Sequence, residues 1–194
     1  MSHENIVSHH VNLDALPAKY PTNIHEADFW ESLGRAVATF GFLEFILKRA
    51  IFALTATRQY EEAEIEQAYN NWIRSLESVF TAPLGSLIDS YGRAVRDHPD
   101  KIISNLDDLL NDLKKISEMR NVLCHGCWEL PNLEGAALPY FANRKKLIVD
   151  TAMNCQYIDQ VQRVTAEVSC EVISTVTRMG WRFPGSSGPG KSIM

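Results

Sequence analysis

Three side chains suited to phosphate chemistry come close together near the middle of the chain: Arg120, Asn121 and His125. On a helix, Asn121 and His125 lie one turn apart and share a face. A guanidinium presents a planar fork of donors that fits a phosphate, and it stays charged at any physiological pH. Histidine can take up or release a proton near neutrality. These residue types at this spacing therefore indicate phosphate chemistry that needs no metal.

An amphipathic helix must position these side chains. Reading back from Leu123 at alternating steps of three and four residues gives one apolar stripe that contains a single charge: Arg120, Ile116, Leu113, Leu109, Leu106 and Ile102. The spacing predicts a helix over Asp100–His125, with Arg120 where a leucine is expected and with Gly126 ending the helix in the left-handed conformation. The negative end of the helix dipole would favour a protonated His125. The alternative is that Arg120 extends from the core edge to solvent and His125 only caps its own helix.

A second charge interrupts the apolar stripe of the first helix. The stripe consists of Trp30, Leu33, Val37, Phe40, Glu44, Leu47, Ile51 and Leu54. Because burying one unpaired charge costs several kcal/mol, the two stripes are expected to pack with their opposite charges in contact. We therefore predict a Glu44–Arg120 ion pair in the core, with Glu44 supporting the site. If the stripe is rotated, Glu44 instead reaches solvent at a helix edge.

Composition limits the classes of function. The chain has 194 residues, 45% of them hydrophobic and 22% charged, which fits one globular domain. A net charge of −5 argues against a protein that coats nucleic acid, because such binding depends on many phosphate contacts. Any RNA contact must be local, and the secondary candidates for it are Lys114, Lys115, Arg144, Lys145 and Lys146.

Location and cofactors are predicted from what the sequence lacks. No apolar run has the length of a membrane span, the N-terminus lacks a secretory signal pattern, and the four cysteines are too few for a disulfide scaffold, so we expect a cytoplasmic protein. Cys124 and Cys127 flank His125, but no second cluster completes a zinc site. No glycine-rich phosphate-binding loop is present. We therefore predict no metal and no other cofactor.

The organisation along the chain is mostly helical. We expect an N-terminal arm over residues 1–21, a helical domain over 22–182 and a flexible tail over 183–194. The predicted helices are Asn23–Thr57, opened by a capping box with Glu26, then Glu61–Phe80, Pro83–Arg96, Asp100–His125 and Asn154–Met179. Short strands are predicted at Trp128–Leu130, Ala136–Phe141 and Leu147–Asp150. The expected fold is an all-α bundle of four to five helices with a small β-hairpin or meander before the last helix.

An all-helical chain in which Arg120, Asn121 and His125 close a core helix resembles the HEPN superfamily. The signature of that superfamily is an arginine, often followed by a polar residue, and then a histidine after four to six intervening residues. The resemblance covers roughly residues 23–179 and implies a HEPN-like helical bundle. It also implies a metal-independent endoribonuclease, commonly a toxin or an antiphage-defence effector, that acts as a homodimer on RNA and leaves a 2′,3′-cyclic phosphate.

The resemblance implies roles for three residues. His125 would move protons at the ribose 2′-hydroxyl or the leaving 5′-oxygen, Arg120 would stabilise charge on the phosphorane, and Asn121 would orient the phosphate or the imidazole. A cognate inhibitor or antitoxin is a possible partner. One subfamily is silenced by nucleotidylation of a tyrosine two residues after the histidine, and Cys127 occupies that position here. Two alternatives stay open: a noncatalytic HEPN-like module for dimerisation or nucleotide binding, and a structural helical adaptor.

Overall fold

The computed structural model describes residues 9–99, 104–142 and 149–188, which form a mostly helical fold around one apolar core. Its helices are α1 (Ala27–Ala56), α2 (Ile65–Thr81), α3 (Leu84–Arg96), α4 (Leu106–His125) and α5 (Cys155–Arg178). A two-stranded antiparallel hairpin of β1 (Cys127–Trp128) and β2 (Pro139–Tyr140) precedes α5. The predicted bundle with a small hairpin before the last helix is confirmed. Within the described ranges, no helix is both long enough and apolar enough to cross a membrane.

The two longest helices, α1 and α5, pack together at the centre of the core. Leu43 and Leu47 of α1 and Val172 and Val176 of α5 are fully buried. The valines of α5 are β-branched and have modest helix propensity, but their helical spacing places them on one apolar face. Burial of that face outweighs the cost in propensity.

The predicted helix starts agree with the structure for α3, which begins directly after Pro83, and for α5, and they are too early for α1, α2 and α4. The predicted start of α2 at Glu61 is wrong, because Glu62–Glu64 forms a 3₁₀ turn and the α-helix begins at Ile65.

Asn154 caps α5, where its Oδ1 accepts a hydrogen bond from the Tyr157 amide at 3.0 Å. The capping box at the start of α1 is wrong, because Asn23 lies in the 3₁₀ turn Thr22–Ile24 and Glu26 makes no side-chain cap. The helix therefore begins at Ala27.

The start of α4 is also later than predicted. Leu106 is the first residue of α4, and Asn105 before it has φ −115° and ψ 25°, which is not helical. Leu106 packs against the core, so the apolar stripe is anchored from this residue onward. The predicted start at Asp100 and the stripe residue Ile102 lie outside the described residues.

The hairpin is shorter than the strands predicted from the sequence. β1 and β2 pair Cys127 with Tyr140 and Trp128 with Pro139. The predicted third strand, Leu147–Asp150, is wrong where it is described, because Val149 and Asp150 are not in a strand. Instead, Ala137 forms an isolated antiparallel bridge with Met153, whose buried side chain ties the hairpin to the core.

The packed part of the chain continues beyond residue 182. Phe183 is buried in the core, and the Pro184 carbonyl accepts a hydrogen bond from Arg49 Nη1 of α1 at 2.9 Å. The segment expected to be a flexible tail therefore begins with a residue that contacts the core. Residues 189–194 lie outside the described part.

Candidate functional site

The end of α4 is held against the hairpin through Gly126. This residue has φ −69° and ψ 139°, so it is extended, and the predicted left-handed ending of the helix is wrong. Glycine is required for a different reason. A Cβ at this position would lie 2.7 Å from the Val122 carbonyl oxygen and 3.0 Å from Pro139 Cβ. The close approach of β2 to the helix end thus fixes the turn that carries His125.

Buried aromatic rings anchor the hairpin on the opposite side. Trp128 of β1 is buried and meets the ring of Phe29 of α1 edge to face, with 5.0 Å between the centroids. Such a pair contributes about 0.5–1.5 kcal/mol beyond its buried area. His125 is therefore placed by a helix end, a glycine contact and an anchored strand in succession.

The structure brings together the three residues of the predicted motif. Arg120 Nη1 donates a hydrogen bond to Asn121 Oδ1 at 3.2 Å and lies 3.4 Å from His125 Nε2. Because a guanidinium can only donate, a hydrogen bond between these two groups requires that Nε2 accepts. His125 is exposed, whereas Arg120 and Asn121 are half-buried. The cluster therefore presents a histidine to solvent with a cation directly behind it.

Glu44 of α1 completes the cluster from a second helix. Its Oε1 lies 3.8 Å from Arg120 Nη2, so the predicted ion pair between α1 and α4 is confirmed. The predicted burial in the core is wrong, because the Arg120 and Glu44 side chains are 32% and 26% exposed. At this separation the contact is an ion pair without a close hydrogen bond.

The orientation of α1 explains why Glu44 lies at the core edge. Ala36, Leu43 and Ala50 are fully buried, so the core face is centred on a line that includes two alanines. Val37, a member of the predicted stripe, is 40% exposed. The predicted stripe contains the large apolar residues of α1, whereas the buried alanines place the centre of the core face away from Glu44.

The charges of the cluster also affect a neighbouring thiol. Burial of its sulfur raises the pKa of Cys124, the Arg120 guanidinium opposes this rise, and the Glu44 carboxylate adds to it. The net direction keeps Cys124 protonated, so this thiol is not an activated nucleophile at neutral pH.

The two described candidates for secondary RNA contacts, Lys114 and Lys115, lie on different faces of α4. Lys114 is exposed on α4 and lies two turns before Asn121, on the face that carries His125. Lys115 lies on another face, where its Nζ pairs with Asp112 Oδ1 at 2.9 Å. Of these two lysines, Lys114 is therefore the one that shares the face of the cluster. Arg144, Lys145 and Lys146 lie outside the described residues.

An exposed apolar face of α1 borders the cluster and was missed in the sequence. We define the α1 outer face by four residues that are exposed to solvent: Val37 (40%), Phe42 (46%), Phe45 (47%) and Phe52 (39%). Between them, Gly41 would have no atom within 4 Å of an added Cβ. The available signal was that α1 carries apolar residues on all sides, which is typical of a helix covered by more than one partner.

Over residues 9–99, 104–142 and 149–188, no group of three or more His, Cys, Asp or Glu side chains is arranged to hold a metal ion.

Comparisons with protein-family models, with curated proteins and with solved structures find no match for this chain. The site is therefore interpreted from its own geometry.

Proposed function

We propose that this protein is a HEPN-type, metal-independent endoribonuclease. The observation that supports it most strongly is the contact of Arg120 Nη1 with both Asn121 Oδ1 and His125 Nε2 at an exposed helix end. A cation and a proton-transfer group within one hydrogen-bond length of each other are what phosphodiester transesterification needs.

The reaction uses these side chains in defined roles. A His125 imidazole removes the proton from a ribose 2′-hydroxyl, and the 2′-oxygen attacks the adjacent phosphorus. The bond from phosphorus to the 5′-oxygen breaks, and that oxygen takes a proton from an imidazolium. Arg120 neutralises the additional negative charge on the phosphorane, and Asn121 holds the guanidinium in place. The products are a 2′,3′-cyclic phosphate and a 5′-hydroxyl end.

A base and an acid are both needed, and one chain supplies one His125. A symmetric dimer would place two copies of the cluster across a twofold axis. The α1 outer face supports this arrangement, because Gly41 lies three residues before Glu44 and leaves room for close helix contact. Two copies pairing through this face would bring their Glu44–Arg120 edges to the same cleft. A cognate inhibitor that covers this cleft would fit a toxin or a defence effector.

One observation favours a noncatalytic role as the second candidate. Arg120 already contacts Asn121, His125 and Glu44 within its own chain. In this second candidate, the three contacts have a structural role: they fix α1 against α4 in an interaction module, and Arg120 binds no phosphate. Catalysis instead requires that a phosphate replaces the contact with His125, which at 3.4 Å is a weak one.

Substitution of the cluster tests the proposal. His125→Ala and Arg120→Ala should each lower RNA cleavage by about a hundredfold or more, the loss typical of removing a proton-transfer group or a transition-state cation. The matched controls are His10→Ala in the exposed N-terminal arm and Arg74→Ala on the exposed side of α2. Cleavage by His125→Ala at the wild-type rate would rule the proposal out.

A further inference from the structure

A second site lies at the C-terminal end of α1, under the first half of α2. A cavity of about 390 Å³ is bounded there by the ends of the two helices and the connection between them. A neighbouring cavity of about 190 Å³ shares Arg58, Tyr60 and Trp72 with it. We call the two together the α1–α2 cleft. The larger of the two is by itself in the size range of small-molecule sites, about 300–1,000 Å³.

The cleft exists because α2 is packed against the core only at its C-terminal half. Leu76 and Val79 are buried, but Ile65 and Tyr69 on the same helix face are 53% and 58% exposed. Trp72 lies at the boundary, where its Nε1 donates a hydrogen bond to Thr55 Oγ1 of α1 at 2.9 Å. The Trp72 ring also meets Phe52 of α1, with 5.6 Å between the centroids, whereas the turns of α2 before Trp72 leave Ile65 and Tyr69 exposed.

Arg58 supplies an incompletely paired cation to this cleft. Its Nε is buried and has no hydrogen-bond partner. Its ion pair with Asp97 is long, at 3.5 Å from Nη2 to Oδ2, and the Asp97 side chain is 61% exposed while that of Arg58 is 26% exposed. A partly buried guanidinium with an unpaired Nε and one long ion pair is incompletely compensated, so an anion entering the cleft would add a closer charged partner than Asp97.

The remaining lining residues indicate which functional groups a ligand of this cleft must carry. Tyr60, Tyr69 and Trp72 offer aromatic surfaces on which a planar ring can stack. Gln67 and Asn71 carry amides that can both donate and accept at the edge of a heterocycle, and Glu64 provides an acceptor for hydroxyl groups. Stacking, edge recognition, hydroxyl binding and a cation together match one class of ligand, a molecule with a base, a ribose and a phosphate.

We infer that the α1–α2 cleft is a binding site for a mononucleotide. The base stacks on Trp72 and the tyrosines, and Arg58 binds the phosphate. The site is distinct from the Arg120 cluster, since α1 continues for 12 residues from Glu44 to its end at Ala56, with a rise of about 1.5 Å per residue, and Arg58 follows that end. The inference does not depend on ribonuclease activity, so either can fail without the other.

Calorimetric titration of the full chain with AMP, GMP, CMP and UMP tests the site. At least one should bind saturably with one ligand per chain, whereas inorganic phosphate and the corresponding nucleoside should each bind at least about tenfold more weakly, because each offers only part of the contacts. Absence of saturable binding by all four nucleotides at millimolar concentration would overturn the inference. Phosphate binding as tightly as the nucleotide would also overturn it, since the aromatic rings would then play no part.

Variants locate the binding within the cleft. Arg58→Gln should weaken binding by about tenfold or more, the usual effect of losing a charge-assisted contact to phosphate. The matched control, Arg74→Gln on the exposed side of α2, should bind like wild type. Asn71→Leu changes an exposed lining residue and should weaken binding without affecting the fold. Wild-type affinity in both Arg58→Gln and Asn71→Leu would place the nucleotide elsewhere and contradict the assignment.

Discussion

Arg120 of α4 and Glu44 of α1 meet at 3.8 Å at the edge of the core, where about a third of the Arg120 side chain and a quarter of that of Glu44 reach solvent. Solvent screening at this position limits the contribution of the pair to the free energy of unfolding. Its main effect is orientational, because Arg120 is held between a carboxylate on one side and Asn121 and His125 on the other.

Glu44→Gln should therefore change the free energy of unfolding little and lower RNA cleavage strongly. We expect the free energy of unfolding, measured by urea denaturation, to fall by about 1 kcal/mol or less, as for other solvent-exposed ion pairs. RNA cleavage should fall by about tenfold or more, because the guanidinium loses its orienting partner. Glu31→Gln, which breaks the exposed pair with Arg35 on the same helix, should change neither quantity. Full activity in Glu44→Gln would show that Glu44 does not position Arg120.

The contact of Gly126 with the hairpin gives a second prediction. Gly126→Ala should destabilise the protein by about 1–3 kcal/mol, because the new Cβ collides with the Val122 carbonyl oxygen and with Pro139. Cleavage should decrease as well, since the shift moves His125. Gly85→Ala in α3 is the control: its Cβ would meet no atom within 4 Å, and helix propensity predicts a gain of about 0.5–1 kcal/mol. Equal stability of the two variants would argue against a tight helix end.

The proposed dimer predicts the effect of a bulky charge on the α1 outer face. Ala38 is exposed between Val37 and Phe42, so Ala38→Arg should convert a dimer into a monomer in light scattering at micromolar concentration. RNA cleavage should be lost with the dimer, while circular dichroism stays that of wild type. Ser86→Arg, on the exposed side of α3, should leave the dimer intact. A wild-type protein that is monomeric and active would contradict the shared cleft.

His25 gives a prediction about pH. Its ring stacks on Phe29 with 4.2 Å between centroids, and its Nε2 is buried without a hydrogen-bond partner. Burial lowers the pKa of His25 below its ordinary value of 6.5, although a hydrogen bond with the Glu129 backbone opposes this. The unfolded chain therefore binds a proton at a higher pH than the folded chain does, and stability is lost as pH falls below about 6.5.

The His25 contribution is measured by comparing variants. Urea midpoints at about pH 7.5 and pH 5.5 span the range in which the unfolded histidine titrates. His25→Phe should reduce the difference between the two midpoints, whereas His10→Phe in the exposed arm should leave it unchanged. The same difference in both variants would mean that His25 is not the group responsible.

How much of this molecule could be predicted from the sequence depends on the kind of interaction. The helical spacing of apolar residues and the helix N-cap gave correct predictions: the stripe from Leu106 to Leu123 predicts α4, and Asn154 marks the start of α5. The contact of Arg120 with Glu44 followed from matching two charges in two stripes. These features depend on local spacing, which the sequence displays directly.

The errors have physical causes that local spacing does not contain. The sequence predicts a core position for Glu44 because the buried alanines of α1 carry a weak hydrophobic signal. The sequence favours a left-handed Gly126 because the close approach of Pro139, 13 residues away, is a tertiary contact that local spacing does not show. The α1–α2 cleft depends on where α2 leaves the core, which periodicity does not specify.

The central claim is that the Arg120–His125 cluster cleaves RNA by transesterification without a metal. The most direct measurement is to incubate purified protein with a defined RNA in excess EDTA and to analyse the new ends by mass spectrometry, with His125→Ala in parallel. We predict cleavage by the wild type that leaves 2′,3′-cyclic phosphate and 5′-hydroxyl ends, and intact RNA with the variant. Cleavage that EDTA abolishes, new ends that carry a 5′-phosphate, or equal cleavage by His125→Ala would contradict the claim.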